Sequence, residues 1–227
     1  MILLVRTAFA VVYSLLAHLA SARHDPALAA SALVVLIVLV LIAPLVQGRI
    51  AAWVGLVAGA AGAVLLAQTP YAHVPLLLVP FAFVALVAWW FARSLRRGRV
   101  PLISKIVAAL ERTSAEELAP ELRRYTRALT AAWAVLLTVI GVSNLTLALI
   151  ATPAGLLAQF GVQAPVTVTQ TQWSWFANLL DYGIMGSFMV GEYLYRKRRF
   201  PGRYKNAADF ARRLAALGPA FWRDFLR

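Results

Sequence analysis

The sequence predicts an all-α fold: a polytopic transmembrane helical bundle of about six spans, with both termini in the cytoplasm and amphipathic helices at the membrane surface. Hydrophobic residues make up 62% of the 227 residues and charged residues only 14%, which is too little charge for a soluble surface. Several stretches lack charge over roughly 20 residues, the length that an α-helix needs to cross a hydrocarbon core. These stretches do not alternate as barrel strands do, so helices are the expected spans.

The basic residues cluster beside the apolar stretches. Lys and Arg number 3 in residues 1–92, 9 in 93–127, none in 128–195 and 10 in 196–227. This pattern follows the positive-inside rule, and it predicts a multi-pass membrane protein whose basic segments lie on the cytoplasmic side and contact anionic headgroups. The net charge of +13 therefore does not indicate a nucleic-acid partner. With no cysteine in the chain, disulfides and thiolate metal sites are excluded.

Residues 1–95 are predicted to form a four-helix N-terminal transmembrane part. The first apolar stretch, 2–20, precedes Ala20-Ser21-Ala22, a triplet of the kind that signal peptidase cleaves. Residues 1–22 are therefore either a cleaved signal peptide or an uncleaved first helix. The missing charged n-region favours the uncleaved helix.

The next two spans are expected at about 28–46 and just after Arg49. The third carries a small-xxx-small spacing, which lets two helix backbones approach closely. Such spacing most often marks packing between neighbouring helices of one chain, and dimerisation is the alternative. The three glycines are Gly55, Gly59 and Gly62.

The fourth span, about 74–92, ends in Trp89 and Trp90, which favour the headgroup level. Arginines follow at once, so we expect the loop 96–126 to be cytoplasmic. Apolar side chains recur along one face after Pro101, with Ser104, Lys105 and Glu111 toward the other. This pattern predicts a short amphipathic helix in the membrane surface. The apolar residues are Leu102, Ile103, Ile106, Val107 and Leu110.

Ser114 and Glu117 have the spacing of a capping box, and Pro120 is expected to interrupt the turn that follows. Residues 127–195 should form a two-helix transmembrane part, with spans at about 128–150 and 173–195. The loop between them is uncharged, as expected outside the cell, and its Val-Thr-Val-Thr run at 166–169 predicts an extended segment. Residues 196–227 are predicted to be a basic amphipathic tail on the cytoplasmic leaflet.

Polar residues inside the last two spans are candidates for function. Asn178, Asp181, Met185, Phe188 and Glu192 step by three and four and so share one helix face. A carboxylate within a span raises the free energy of membrane insertion, so Asp181 is a candidate for a functional residue. The alternative is a structural residue that is hydrogen-bonded to the preceding helix. Glu192 has the spacing for a salt bridge to the arginine four residues on. The candidate intramembrane polar site comprises Asn144, Asn178, Asp181 and Glu192.

The basic residues that flank these spans are candidates for headgroup or partner contacts. Arg127 either binds a phosphate headgroup or extends its charged end to water. His18 and His73 have no partner at metal-ligand spacing, and no motif of nucleophilic or metal-dependent catalysis is present. The sequence therefore predicts no metal site, cofactor or catalytic residue. The basic candidates are Arg123, Arg124, Arg127, Arg196, Lys197, Arg198 and Arg199.

Residues 100–227 resemble a family of bacterial inner-membrane proteins associated with clusters for aryl polyene or xanthomonadin-like biosynthesis. The segments concerned are PLISKI (101–106), ELRRYTRALTAAWAVLL (121–137) and WSWFANLLDYGIMGSFMVGEYLYRKRRFP (173–201). Asp181 departs from the family, which has an apolar residue or Thr there. The residues that match the family motifs are Tyr125, Thr126, Arg127, Phe176, Ala177, Asn178, Glu192, Tyr193, Phe200 and Pro201.

The resemblance implies a multi-pass protein of the bacterial cytoplasmic membrane that serves synthesis of an acyl lipid product, and it implies no activity. The leading hypothesis is a non-catalytic accessory protein whose basic loop and tail dock acidic acyl carrier or synthase proteins against the membrane. One alternative is a lipid or proton-coupled transport component that uses a polar path of Asn144, Asn178 and Asp181. A third hypothesis is an intramembrane transferase with Asp181 or Glu192 as base.

Overall fold

A computed structural model of the chain describes residues 2–153, 155–169, 172, 181–200, 212, 213, 216–218 and 221. Over these residues the regular secondary structure is helical apart from two strands of two residues each, which confirms the all-α prediction. The elements are α1 (Ile2–Arg23), α2 (Pro26–Val46), α3 (Ile50–Ala67), α4 (Val74–Ser94), α5 (Leu102–Glu111), α6 (Pro120–Ile150), β1 (Ala151–Thr152), α7 (Leu156–Gln159), β2 (Val168–Thr169) and α8 (Asp181–Arg199).

Four of the described helices are long and apolar enough to cross a membrane: α2, α3, α4 and α6. Helix α1 carries a shorter apolar segment, Val5–Ser21. The predicted last span, 173–195, is described only from Asp181 onward, and most of the predicted amphipathic tail lies outside the described residues.

Helix α6 begins at Pro120 rather than near residue 128. Proline suits the first position of a helix, where its missing N–H is not needed, so here it starts a helix and does not interrupt one. With 31 residues, α6 is roughly 46 Å long. A hydrocarbon core is about 30 Å thick, so the helix is long enough to extend well beyond one.

The chain divides into two compact units, with boundaries inside α4 and α6. The first comprises Met1–Pro80 and Leu147–Thr169. In it α1 packs against α2 and α2 against α3. The residues buried in these three helices are nearly all alanine, because small side chains let the backbones approach closely. They are Ala20, Ala29, Ala30, Ala32, Ile42, Ala52 and Ala63.

Two of the three glycines of α3 face α2. A Cβ atom on Gly59 would lie 2.8 Å from Cδ1 of Ile37, and one on Gly55 would lie 3.6 Å from Cδ1 of Leu41. Nothing lies within 4 Å of a Cβ atom placed on Gly62. The small-residue spacing therefore serves packing within the chain at two of its three positions.

Segments predicted to lie on the side of the membrane away from the cytoplasm contact one another in the first unit. The rings of His24 and His73 have centroids 6.3 Å apart, so His73 has a neighbour that its sequence context did not indicate. Tyr71 stacks on Phe160 with centroids 4.9 Å apart. Strands β1 and β2 form a parallel pair, which confirms the extended segment at Val168 and Thr169.

The second unit comprises Phe81–Thr146 and Gln170–Arg227. Its hydrophobic core forms where α5 and the following loop pack on the first turns of α6, around Val107, Ala108, Leu118 and Leu122. The apolar face of α5 is thus covered in part by protein rather than by lipid alone.

The predicted capping box is present in the loop after α5. The backbone N–H of Ser114 donates to Oε2 of Glu117 at 3.1 Å, and the backbone N–H of Glu117 donates to Oγ of Ser114 at 3.3 Å. Hydrogen bonds from the Thr113 hydroxyl, and then from Ser114, lower the pKa of Glu117. These bonds fix the turn that leads into α6.

Candidate functional site

The first turns of α6 and the end of α8 are joined by a hydrogen-bonded carboxylate. The hydroxyl of Tyr125 donates to Oε1 of Glu192 at 2.7 Å. The same oxygen lies 3.2 Å from Nε of Arg196 and forms an ion pair with it. This contact confirms the predicted salt bridge between Glu192 and the arginine four residues on. Glu192 is only 14% exposed, so both partners are needed to compensate for its lost hydration.

Aromatic contacts surround this carboxylate. Tyr125 stacks on Tyr195 with ring centroids 5.8 Å apart, and Phe200 packs against it at 5.2 Å. Further along, Trp133 of α6 meets Phe188 of α8 edge to face at 4.8 Å. Phe188 and Glu192 both contact α6, so the predicted shared face of α8 is directed at protein at these two positions.

A second ion pair joins the same two helices nearer to their ends. Arg199, the last residue of α8, donates to Oε1 of Glu121 in the first turn of α6. Both side chains are more than half exposed, so this pair adds little to stability. Lys197 and Arg198 between these contacts are exposed and take part in no ion pair with a described residue.

Helix α5 begins without a side-chain cap of its own, because the N-cap residue is Pro101. Its first amides are bonded by hydroxyls from other helices: Leu102 N–H donates to Ser94 Oγ at 3.1 Å, and Ile103 N–H donates to Thr130 Oγ1 at 3.3 Å. The amides at a helix start have no partner within the helix, so these bonds fix α5 to α4 and α6.

Ser104 is fully buried, and the prediction that it lies on the polar side of α5 is wrong. Its hydroxyl is 2.7 Å from the hydroxyl of Thr126, which is also buried. The bond between the two hydroxyls removes the cost of burying either one alone, so a polar residue is accommodated on the packed face. Helical periodicity treats Ser as a surface residue and could not anticipate this pair.

Four arginines from two segments line one cleft of about 250 Å³, which we call the arginine cleft. Its charged and polar lining consists of Arg99, Ser104, Glu116, Arg123, Arg124 and Arg127. One acidic residue faces four basic ones, and all five of these charged residues are exposed. Within the described part of the chain, neither ion pair of the structure involves these arginines.

Arg127 is fixed within the cleft. Its Nη2 donates to the backbone carbonyl of Leu95 at 2.8 Å, just beyond the end of α4. A guanidinium has five N–H donors, so this bond positions the group and leaves other donors available. The sequence identified Arg123, Arg124 and Arg127 but missed Arg99, which comes from the loop before α5.

The predicted intramembrane polar site is not assembled as one cluster by the described residues. Glu192 bonds Tyr125, and Asn144 lies 19 residues further along α6, roughly 28 Å away along the helix axis. Asn144 is buried. Asn178 lies outside the described residues, as does the side chain of Asp181. Glu192 therefore belongs with the basic end of α8 and not with Asn144.

Some of the described residues on which the resemblance was based lie in this region. The hydroxyl of Tyr125 bonds Glu192, and its ring contacts Phe200. The neighbouring Thr126 bonds Ser104 of the PLISKI segment. Residues 173–180 and Pro201 of the resemblance lie outside the described residues. Compared with known proteins, the chain matches no family model, no curated protein and no solved structure.

Proposed function

We propose that this chain is a non-catalytic accessory protein of the bacterial cytoplasmic membrane, with about six spans and both termini inside. It holds acidic cytosolic proteins, of the acyl carrier or synthase kind, against the membrane during synthesis of an aryl polyene-like acyl lipid. The basic end of α8 and the tail after it form the docking surface.

One observation carries the proposal. The Tyr125–Glu192–Arg196 contacts attach the end of α8 to the core of the second unit, while Lys197 and Arg198 stay exposed. A basic surface on a helix that is held in place attracts an acidic partner and loses less backbone freedom on binding than a loose segment would. The long apolar helices support a membrane location.

Binding of a purified acyl carrier protein to the full chain in detergent tests the docking surface. We expect deletion of residues 203–227 to abolish binding and Arg198→Glu to weaken it several-fold at about 0.1 M salt, where charge interactions act over roughly 10 Å. Product yield in a polyene-forming host should fall in parallel.

Arg49→Glu is the matched control, because it reverses one exposed charge in the turn between α2 and α3. It should leave binding unchanged. Equal binding of the truncated and complete chains would refute the proposal, and so would an Arg49→Glu loss as large as that of Arg198→Glu.

A further inference from the structure

We propose that the arginine cleft is a binding site for a phosphate group, presented by a lipid headgroup or free in solution. This site uses side chains other than the docking surface of α8, so it goes beyond the proposed function and stands or falls separately.

The arginine cleft carries an excess of positive charge. Arg99, Arg123, Arg124 and Arg127 face it with Glu116 as the one acidic lining residue, and the two ion pairs of the described residues lie elsewhere. Four guanidinium groups that share one carboxylate repel one another, and a bound anion relieves that repulsion. A phosphate carries the charge and the several acceptor oxygens that guanidinium groups bind best.

The geometry favours a defined site over a diffuse basic surface. The Leu95 carbonyl holds the side chain of Arg127. The preceding residue, Thr126, bonds buried Ser104 of α5 through its hydroxyl. Arg123 and Arg124 project from the same helix, and Arg99 comes from the loop that enters α5. The walls of the cleft are therefore the packed junction of α5 with α6.

The size of the cleft limits what it holds. Its volume of about 250 Å³ lies below the range of roughly 300–1,000 Å³ that is typical of sites for drug-sized ligands. A phosphate ester group fits such a volume, and an entire lipid or a nucleotide cofactor does not. Any acyl chains of a bound lipid must lie outside the cleft.

Binding to the purified full chain in a non-ionic detergent distinguishes the two sources. The probes are inorganic phosphate, dihexanoyl phosphatidic acid and dihexanoyl phosphatidylcholine, the last two having the same acyl chains but different headgroup charge. We expect phosphatidic acid to bind about tenfold or more tightly than phosphatidylcholine. The reason is that the phosphatidic acid headgroup is an anion, whereas the choline group offsets the phosphate charge in phosphatidylcholine. Binding of inorganic phosphate as well assigns the site to the phosphate group alone, whereas binding of phosphatidic acid alone assigns it to lipid headgroups.

The variant Arg123→Ala/Arg124→Ala should weaken phosphatidic acid binding about tenfold or more, since it removes two charged donors without touching the Arg127–Leu95 bond. Arg96→Ala/Arg97→Ala is the control, because it removes the same charge from exposed residues outside the cleft. Arg99→Ala tests the site from the other segment and should cause a several-fold loss.

Three results would overturn the site. They are equal affinity for the two lipids, unchanged binding in Arg123→Ala/Arg124→Ala, and an equal loss in the control. Thermal unfolding without ligand, measured for each variant, separates a lost site from a lost fold. Carrier-protein docking is measured in its own assay, so a failure of this site leaves that proposal intact.

Discussion

At the residue scale, Glu192 is held by one partner close to it in the chain and by one far from it. The Glu192–Arg196 salt bridge follows from a spacing of four residues on a helix, and the Ser114–Glu117 box from a spacing of three. The partner that completes the Glu192 site, Tyr125, is 67 residues away, and no local pattern indicates it. Burial of Ser104 was missed for the same reason, since its partner lies on another helix.

The Tyr125–Glu192 bond gives a prediction at this scale. Tyr125→Phe keeps the ring contacts and removes one hydrogen bond to a largely buried carboxylate, which should cost about 1–2 kcal/mol. The apparent Tm in detergent should fall by about 2–8 °C.

Tyr193→Phe is the control for this prediction, because that hydroxyl makes no hydrogen bond to a described residue. It should leave the Tm unchanged. A Tyr125→Phe variant as stable as the parent would mean that Arg196 alone compensates Glu192.

At the scale of elements, apolar length predicted α2, α3 and α4 to within a few residues. Helix α6 was predicted too short, because its arginine-rich first turns resemble a loop when only hydropathy is read. Those turns are helical because Leu118 and Leu122 pack against α5. Tertiary contact thus set a boundary that composition alone placed elsewhere.

The packing of α3 on α2 gives a prediction for these two helices. Gly59→Leu must place a side chain where Ile37 already lies, so we expect overpacking to cost about 1–3 kcal/mol and to lower the Tm in detergent. Gly62→Leu meets open space and should keep or raise stability by up to about 1 kcal/mol, because glycine is unfavourable inside a helix.

Size-exclusion chromatography of the same two variants tests the dimerisation alternative. If the glycine face served a contact between two chains, Gly62→Leu would shift the chain from dimer to monomer. We expect no shift, because Gly55 and Gly59 already have a partner in α2.

At the scale of the whole molecule, the distribution of charge predicts which segments lie on each side of the membrane. Within each unit, segments predicted on the same side contact one another. His24 with His73 and Tyr71 with Phe160 join segments predicted outside, while α5 and the first turns of α6 join segments predicted inside. The number of spans depends on residues 173–180, which lie outside the described residues.

Single cysteines test this orientation cleanly, because the chain has none of its own. Gln163→Cys and Glu116→Cys each place a thiol at an exposed loop position. In intact spheroplasts, a membrane-impermeant maleimide should label Gln163→Cys and leave Glu116→Cys unlabelled until the membrane is permeabilised. The reverse labelling would invert the orientation and remove the basis for docking cytosolic partners.

The hydroxyls of Ser94 and Thr130 that bond the first amides of α5 have a mechanical consequence. Ser94 ends α4 and Thr130 lies in α6, so a change of tilt between these two helices strains at least one of the bonds. Slow hydrogen exchange at the amides of Leu102 and Ile103 would therefore indicate that both bonds persist. Faster exchange at these two amides would indicate that α4 and α6 had shifted relative to α5.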